Sequence, residues 1–454
     1  MGVAMAMRMS DRSLRGGTAM DGIRTATGSD LMAALKDARA RTLELIDGLD
    51  DEALMGPRLS IVNPLLWEIG HLAWFHEHFI LRGLDGRPPL RADADALYDS
   101  AAVPHATRWD LPLPSLAETL GYMDSVQSAL ADRIDGREPE PHEAYLYRLV
   151  GLHEDMHAEA FTYTRQTLGQ PRPTFAAALT GEAEAGPLPG DVEVGGGLLR
   201  LGAEREAAHF VFDNEKWAHP VDIAPFRIAR APVTNAEFAA FVEDGGYRER
   251  RHWDETGQAW LAESGAEHPL YWRRDGNSWM VREFDADAPL KPHRPVIHVN
   301  WHEARAWCRW AGRRLPSEAE WEAAAIGARE PEGGLATTKR TYPWGEAAPD
   351  RILANLDGLR LGTVDVSAHP EGDSPWGCRQ MIGNVWEWTE SPFLPYPGFA
   401  PDAYADYSEP SFGSRKVLRG GAWATRARMV TGMYRNFFSP ERRDVLAGFR
   451  TVAV

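Results

Sequence analysis

In the stretch "GLHEDMHAEAF", residues 151–161, His153 and His157 stand four residues apart. On a helix that spacing is about one turn, so both imidazoles point the same way and form two arms of a metal clamp. A third ligand must come from another helix, and "NPLLWEIGHLAWFHEHFILRGL" offers His71, His76 and His78. His71 and His78 share a helix face; His76 lies off it. Gly70, beside His71, lets a neighbouring backbone come close. Glu159 projects away from the clamp, so an outer or surface role is expected for it. Three neutral imidazoles suit Fe(II), Zn(II), Cu(II) or Ni(II), and spacing alone does not choose among them. Three protein ligands leave positions open, which favours catalysis over a structural role. The bland alternative, two polar side chains on an amphipathic helix, stays open at this level.

These residues need a scaffold. Four helical segments are read between residues 28 and about 170. "SDLMAALKDARARTLELIDGL" opens with a Ser/Asp cap, and the His71 segment has Pro64 suited to its first turn. "SLAETLGYMDSVQSALADRI" is again capped by Ser, and "PHEAYLYRLVGLHEDMHAEAFTYTRQTLG" ends at Gly169. Four such helices suggest a bundle, whose interior is where facing helices build metal sites. A Pro-, Gly- and Ala-rich stretch follows. Beyond it the chain is full of Gly, Trp and turn signals, with helices expected only at "TNAEFAAFVED", "WHEARAWCRWAG" and "SEAEWEAAAIG". The expected organisation is a disordered leader over 1–25, a helical bundle over 26–175, a linker over 176–190 and an irregular domain over 191–454. The fold class is α+β.

Bulk numbers narrow the function. A chain of 454 residues exceeds what one core usually serves. The formal net charge of -17 argues against non-specific binding to nucleic acid or anionic membranes. Apolar runs are too short to cross a bilayer, and the methionine-rich start carries no secretory core. Cys308 and Cys378 are too few for a disulfide framework, so a reducing cytoplasm is expected. The expected protein is a monomer without nucleic-acid or membrane partners.

The stretches "RPVIHVNWHEARAWCRWAGRRLPSEAEWEAAA", "YPWGE", "MIGNVWEWTES" and "VLRGGAWATRARM" resemble the sulfatase-modifying-factor, or formylglycine-generating-enzyme, fold, a C-type-lectin-like architecture. Members that oxidise a cysteine use a C-terminal cysteine pair, which is missing after Cys378, so both cysteines are read as structural. Joined to a DinB-like four-helix bundle, the chain resembles the ergothioneine-type sulfoxide synthases. These are non-haem iron enzymes that use O2 to attach sulfur to imidazole C2 of hercynine (Nα-trimethylhistidine). The resemblance implies Fe(II), with "LLWEIGHLAWFHE" supplying His71 and "HEDMH" supplying His153 and His157. It also implies a tyrosine pair, Tyr404 and Tyr407 in "PYPGFAPDAYADYSEPSFG", that delivers protons or hydrogen near the iron.

Departures from the family pattern bear on the chalcogen donor. "YRNFFSPERR" resembles an Arg-Asn-Trp-Asp...Arg-Arg segment, with Asn436 expected on the hercynine carboxylate and Phe437-Phe438 replacing Trp-Asp. Arg442 then lacks that Asp partner and is free for a different ligand. Met156 stands where a Gln contacts substrate, and Arg108 is the remaining candidate contact of an otherwise altered loop. Trp423 and Phe437 are candidates to cradle the quaternary ammonium. This pattern resembles the selenoneine synthase branch, which takes selenium from a selenosugar. The alternatives are sulfur transfer from cysteine or γ-glutamylcysteine, ovothiol-type attachment at C5, a non-catalytic ligand-binding module, and a DinB-type zinc hydrolase or thiol transferase.

Overall fold

The computed structural model describes residues 26–179, 181 and 184–454. The leader expected over 1–25 lies outside the described residues. α1 (Gly28–Ile46) opens on a capping box in which the Thr27 hydroxyl accepts from the Asp30 backbone. The cap is therefore Thr27, two positions before the Ser29–Asp30 pair that the sequence suggests. Such a cap is worth ~0.5–2 kcal/mol, because it satisfies amides that the helix itself cannot. After the short α2 (Asp51–Met55), α3 (Leu65–His76) is buried along its whole length and runs on as a wider π-helical stretch, Glu77–Arg82. Pro64 is its cap residue rather than part of its first turn. Short α4 (Ala94–Tyr98) precedes α5 (Leu116–Ile134), whose Ser115–Glu118 capping box is the one expected. α6 (Pro141–Leu168) stops at Gly169, whose φ of 64° only glycine adopts freely. α1 packs along α6, and α3 packs on α5 and α6.

The sheet-rich part begins at residue 191. One four-stranded sheet orders Asp191–Val194, Phe226–Ala229, Val452–Ala453 and Arg313–Arg314, so the last strand pairs with the second and with Arg313–Arg314. A second orders Asn436–Phe438, Lys416–Arg419, Trp386–Pro392 and Ala447–Gly448. Four helices flank them: α7 (Asn235–Glu243), α8 (Glu255–Ser264), α9 (Trp301–Trp310) and α10 (Glu318–Ile326). α8 is the one the sequence reading omits; its Asp254 cap and αL Gly265 were the available signals. Charged groups in this core are paired, as burial demands. Arg419 bridges Glu318 and Glu322 at 2.7 and 2.6 Å, and Arg450 binds Glu387 at 2.9 Å. Cys308 and Cys378 are buried free thiols, and burial raises both above the ordinary thiol range, Cys378 to about 11. Both therefore pack as small apolar groups, as expected.

The two parts meet along α6. Arg428 makes a two-point contact with buried Asp155 at 2.6 and 2.7 Å. Gln166 exchanges bonds with Arg282 and Phe284 of the sheet-rich part at 2.6–2.9 Å. Glu159 is buried here, not at the surface: its carboxylate accepts from Trp386 Nε1 at 2.6 Å and from the Thr425 hydroxyl.

Candidate metal centre

His71 rides on α3, and His153 and His157 ride on α6. One ring nitrogen from each lies within 4.8 Å of the others. Among the described residues this is the one such histidine, cysteine or carboxylate group. Ring centroids are 5.1 Å apart for His71–His153, 5.2 Å for His71–His157 and 4.6 Å for His153–His157. The rings are held from behind. Trp67 stacks on His71 at 4.9 Å, and Phe75 lies flat on His153 at 3.5 Å. His71 Nδ1 lies 2.8 Å from the Tyr98 carbonyl oxygen. A carbonyl only accepts, so Nδ1 carries the proton and Nε2 keeps its lone pair. Gly70 serves this contact: a Cβ there would fall 2.2 Å from the Tyr98 ring. The close neighbour is thus a side-chain ring, where the sequence suggested a backbone.

The residues fit a metal on chemical grounds. Burial, and then the neighbouring imidazoles, hold His71 and His153 well below the usual 6.5, so both are neutral donors near neutral pH. His153 Nδ1 and His157 Nδ1 are buried without a hydrogen-bond partner. Two neutral imidazoles and a third ring converge here, and the buried His153 nitrogen has no protein partner, so a cation would satisfy it. The other two candidate histidines are elsewhere. His76 Nε2 meets the Val150 carbonyl at 3.0 Å and Glu154 at 3.4 Å. His78 packs on Trp74 at 4.8 Å, about two turns along the helix from His71 and outside the cluster.

Loop residues 399–413 come over the cluster from the sheet-rich part. Tyr404 meets Phe75 at 5.0 Å and His153 at 5.9 Å, both edge-on. Tyr407 lies 5.7 Å from Tyr404, and its hydroxyl is 3.4 Å from that of Tyr434. The loop is pinned on either side of the tyrosine pair: Asp402 binds Lys216 at 2.6 Å, and the buried Ser408 hydroxyl donates to Asp213 at 2.5 Å. Burial pushes the Tyr404 phenol up to about 12 and Tyr407 well above 10. Both therefore hold their protons throughout the neutral range.

The remaining candidates divide. Met156 is partly buried against the core between the two α6 ligands. Asn436 Oδ1 accepts from the Phe437 backbone at 2.8 Å, leaving its amide hydrogens to donate. Phe437 stacks on Phe393 at 4.0 Å and touches Tyr407 at 5.6 Å, so it buttresses the tyrosine loop. Arg442 is not without a partner. It binds buried Asp444 at 2.7 and 2.6 Å and lies over Phe438 and Tyr163. Arg108 is likewise engaged. It lies 3.8 Å over Trp67 and donates to Asn63 at 2.7 Å and to the Ser100 and Val103 carbonyls. Trp423 lines a cavity with Gln166, Phe284 and His298, which the three histidines do not line. Sequence reasoning missed Tyr98, Tyr434 and Glu68; Glu68 was detectable as the lone carboxylate in an apolar helix.

Residues 34–166 match the family model of the DinB superfamily, and residues 176–454 match that of the sulfatase-modifying factor enzyme 1-like domain. A hercynine oxygenase of Mycolicibacterium thermoresistibile is 40% identical over 446 residues, which is 95% of this chain and 96% of that protein. A hercynine oxygenase of Mycobacterium tuberculosis is 39% identical, covering 92% of this chain and 97% of its own. A formylglycine-generating enzyme of Streptomyces coelicolor is 33% identical over 279 residues, 56% of this chain and 84% of its own.

Proposed function

Because the chain belongs to the hercynine oxygenase family, a family of O2-using enzymes with this DinB and sulfatase-modifying-factor pairing, we propose that it forms a carbon–chalcogen bond at imidazole C2 of hercynine with Fe(II) held by His71, His153 and His157. The observation that carries this reading is the three-imidazole cluster roofed by Tyr404. Fe(II), when bound, supplies open coordination positions and the electron needed to engage O2.

The chain's own residues do the rest. The Tyr98 carbonyl sets the tautomer of His71, and Phe75 sets the plane of His153. Trp67, Trp74 and Phe75 pack against His71 and His153, whose burial strengthens the polar contacts they make. Tyr404 is the proton donor, since its phenol keeps its proton up to about pH 12 and its ring lies against His153. Tyr407 orients it and passes its own hydroxyl contact to Tyr434. Asn436 offers amide hydrogens to the hercynine carboxylate. Phe437 braces the tyrosine loop through Tyr407, and Met156 is the apolar neighbour of the two α6 ligands.

The finer reading we propose is selenium, delivered by a selenosugar. Arg442 is already neutralised by Asp444, so it exerts little pull on the carboxylates of a peptide thiol. Phe438 carries no charge where the family pattern has a carboxylate, and its ring lies under Arg442. The second reading, sulfur from cysteine or γ-glutamylcysteine, is favoured by the near full-length likeness to the mycobacterial relatives. Purified protein with Fe(II), O2, hercynine and a mixture of selenosugar, cysteine and γ-glutamylcysteine, read by product mass spectrometry, decides. A selenium product is expected; a sulfur product alone overturns the finer reading, and no hercynine adduct overturns the whole.

No helix among the described residues is long and apolar enough to cross a membrane. A reducing cytoplasm is the setting we propose, on the ground that both cysteines are buried free thiols.

A further inference from the structure

We propose that Glu68 is the positioning residue for His157, the acceptor that fixes its tautomer and turns its other ring nitrogen toward the metal. The inference rests on the metal reading above. Glu68 sits three residues before His71 on α3 and is 3% exposed. Its Oε1 accepts from Asn63 Nδ2 at 2.8 Å. Its Oε2 is buried without a hydrogen-bond partner, and so is His157 Nδ1. These two orphaned atoms face each other at 3.5 Å.

A carboxylate oxygen only accepts, and an imidazole Nδ1 donates only when it carries the proton. A buried carboxylate oxygen left without a donor is costly, so the arrangement resolves when His157 carries its proton on Nδ1. A shift of a few tenths of an ångström closes the contact to an ordinary hydrogen bond. The lone pair is then on Nε2, as it is for His71 under the Tyr98 carbonyl. A carboxylate behind a ligating imidazole also raises its basicity, which strengthens its bond to a divalent metal.

Glu68 is itself held. Arg108 Nη1 donates to Asn63 Oδ1 at 2.7 Å while the Asn63 amide donates to Glu68, so the Asn63 orientation satisfies both neighbours. Arg108 also lies over Trp67, the ring stacked on His71. A single chain, Arg108–Asn63–Glu68–His157, therefore ends on one ligand while its first member braces another. This places Arg108 behind two of the ligands at once.

The test is Fe(II) affinity by competition against a chromophoric chelator, with the visible spectrum of the Co(II)-loaded protein as a second readout. Glu68→Ala should weaken Fe(II) about 10–100-fold and alter the Co(II) bands. Glu68→Gln, whose amide oxygen can still accept, should recover part of that affinity, and Asn63→Ala should weaken it by a smaller factor. Fe(II) affinity within about twofold of wild type in both Glu68 variants, with an unchanged Co(II) spectrum, overturns the proposal. Should Glu68→Ala fail to fold, Glu68→Gln and Asn63→Ala decide the same question. His153→Ala separates the two levels: if it loses the metal while the Glu68 variants keep it, only the positioning role fails. If it too keeps full metal, the metal reading fails with it.

Discussion

Trp386 of the sheet-rich part donates through Nε1 to Glu159 Oε1 at 2.6 Å, two residues beyond His157 on α6. The Thr425 hydroxyl donates to the other oxygen of the same carboxylate. The helix that carries two of the three imidazoles is thus tied directly to the part that carries the tyrosine loop, so the distance from His153 to Tyr404 depends on this junction. Replacing Glu159 with Ala orphans two buried donors, each worth ~1–3 kcal/mol. Glu159→Ala should lower the thermal midpoint by several degrees, and Glu159→Gln should recover roughly half of the loss. Calorimetry of the three proteins checks this; equal midpoints would show that the junction does not hold the two parts together.

Each imidazole of the cluster should be needed for metal. His71→Ala, His153→Ala and His157→Ala should each abolish stoichiometric Fe(II) binding, read by elemental analysis after desalting. Chelation of the wild type should lower its midpoint, because a metal that binds only the folded state stabilises it by about 2.7 kcal/mol at 100 times Kd. Full occupancy in His153→Ala would show the cluster to be something other than a ligand set.

Tyr404→Phe keeps the ring contacts with Phe75 and His153 and removes only the hydroxyl. Turnover should fall by ~10²–10⁴, the range for a lost proton donor, with KM for hercynine little changed. The phenol is pushed up to about 12, so the wild-type rate should show no falling limb from this group below about pH 10. Unchanged kcat in the variant argues against proton delivery by Tyr404.

Glu215 gives a pH signature away from the centre. Burial pushes its carboxyl up to about 8 from 4.5, against the pull of the Phe212 amide and nearby Arg419, Lys216 and Arg435. The folded state therefore keeps a proton that the unfolded chain releases. Stability from this group is complete below pH 4.5 and is lost as pH rises through 8. The slope is about 1.4 kcal/mol per pH unit at most. Glu215→Gln should flatten the pH dependence of the denaturation midpoint between about pH 5 and 8, as measured by denaturant titration.

The departures between expectation and structure are local and have physical causes. Seven-residue spacing could not exclude His78, because a shared helix face does not say which turn of that helix meets the α6 pair. The pairing of Arg442 is set by Asp444, two residues on, whereas the family pattern points to position 438. Glu159 looked outward because a single helix shows which residues share a face but not what a second domain brings against the opposite one.

The sequence by itself determined the elements and the chemistry they carry: capped helices, an i, i+4 histidine pair, an apolar helix with His71, and a composition change that separates bundle from sheet. Those are short-range properties, set by periodicity, caps and residue type. The third histidine, which spacing left open and the family resemblance gave as His71, is brought together with the α6 pair by the tertiary structure, and only that structure decided which ring or carbonyl holds each imidazole. It also decided that Glu68 and His157 face each other and that Tyr404 stands over His153. These contacts join residues far apart in the chain, and their geometry comes from how the helices and the loop pack, which no local pattern encodes.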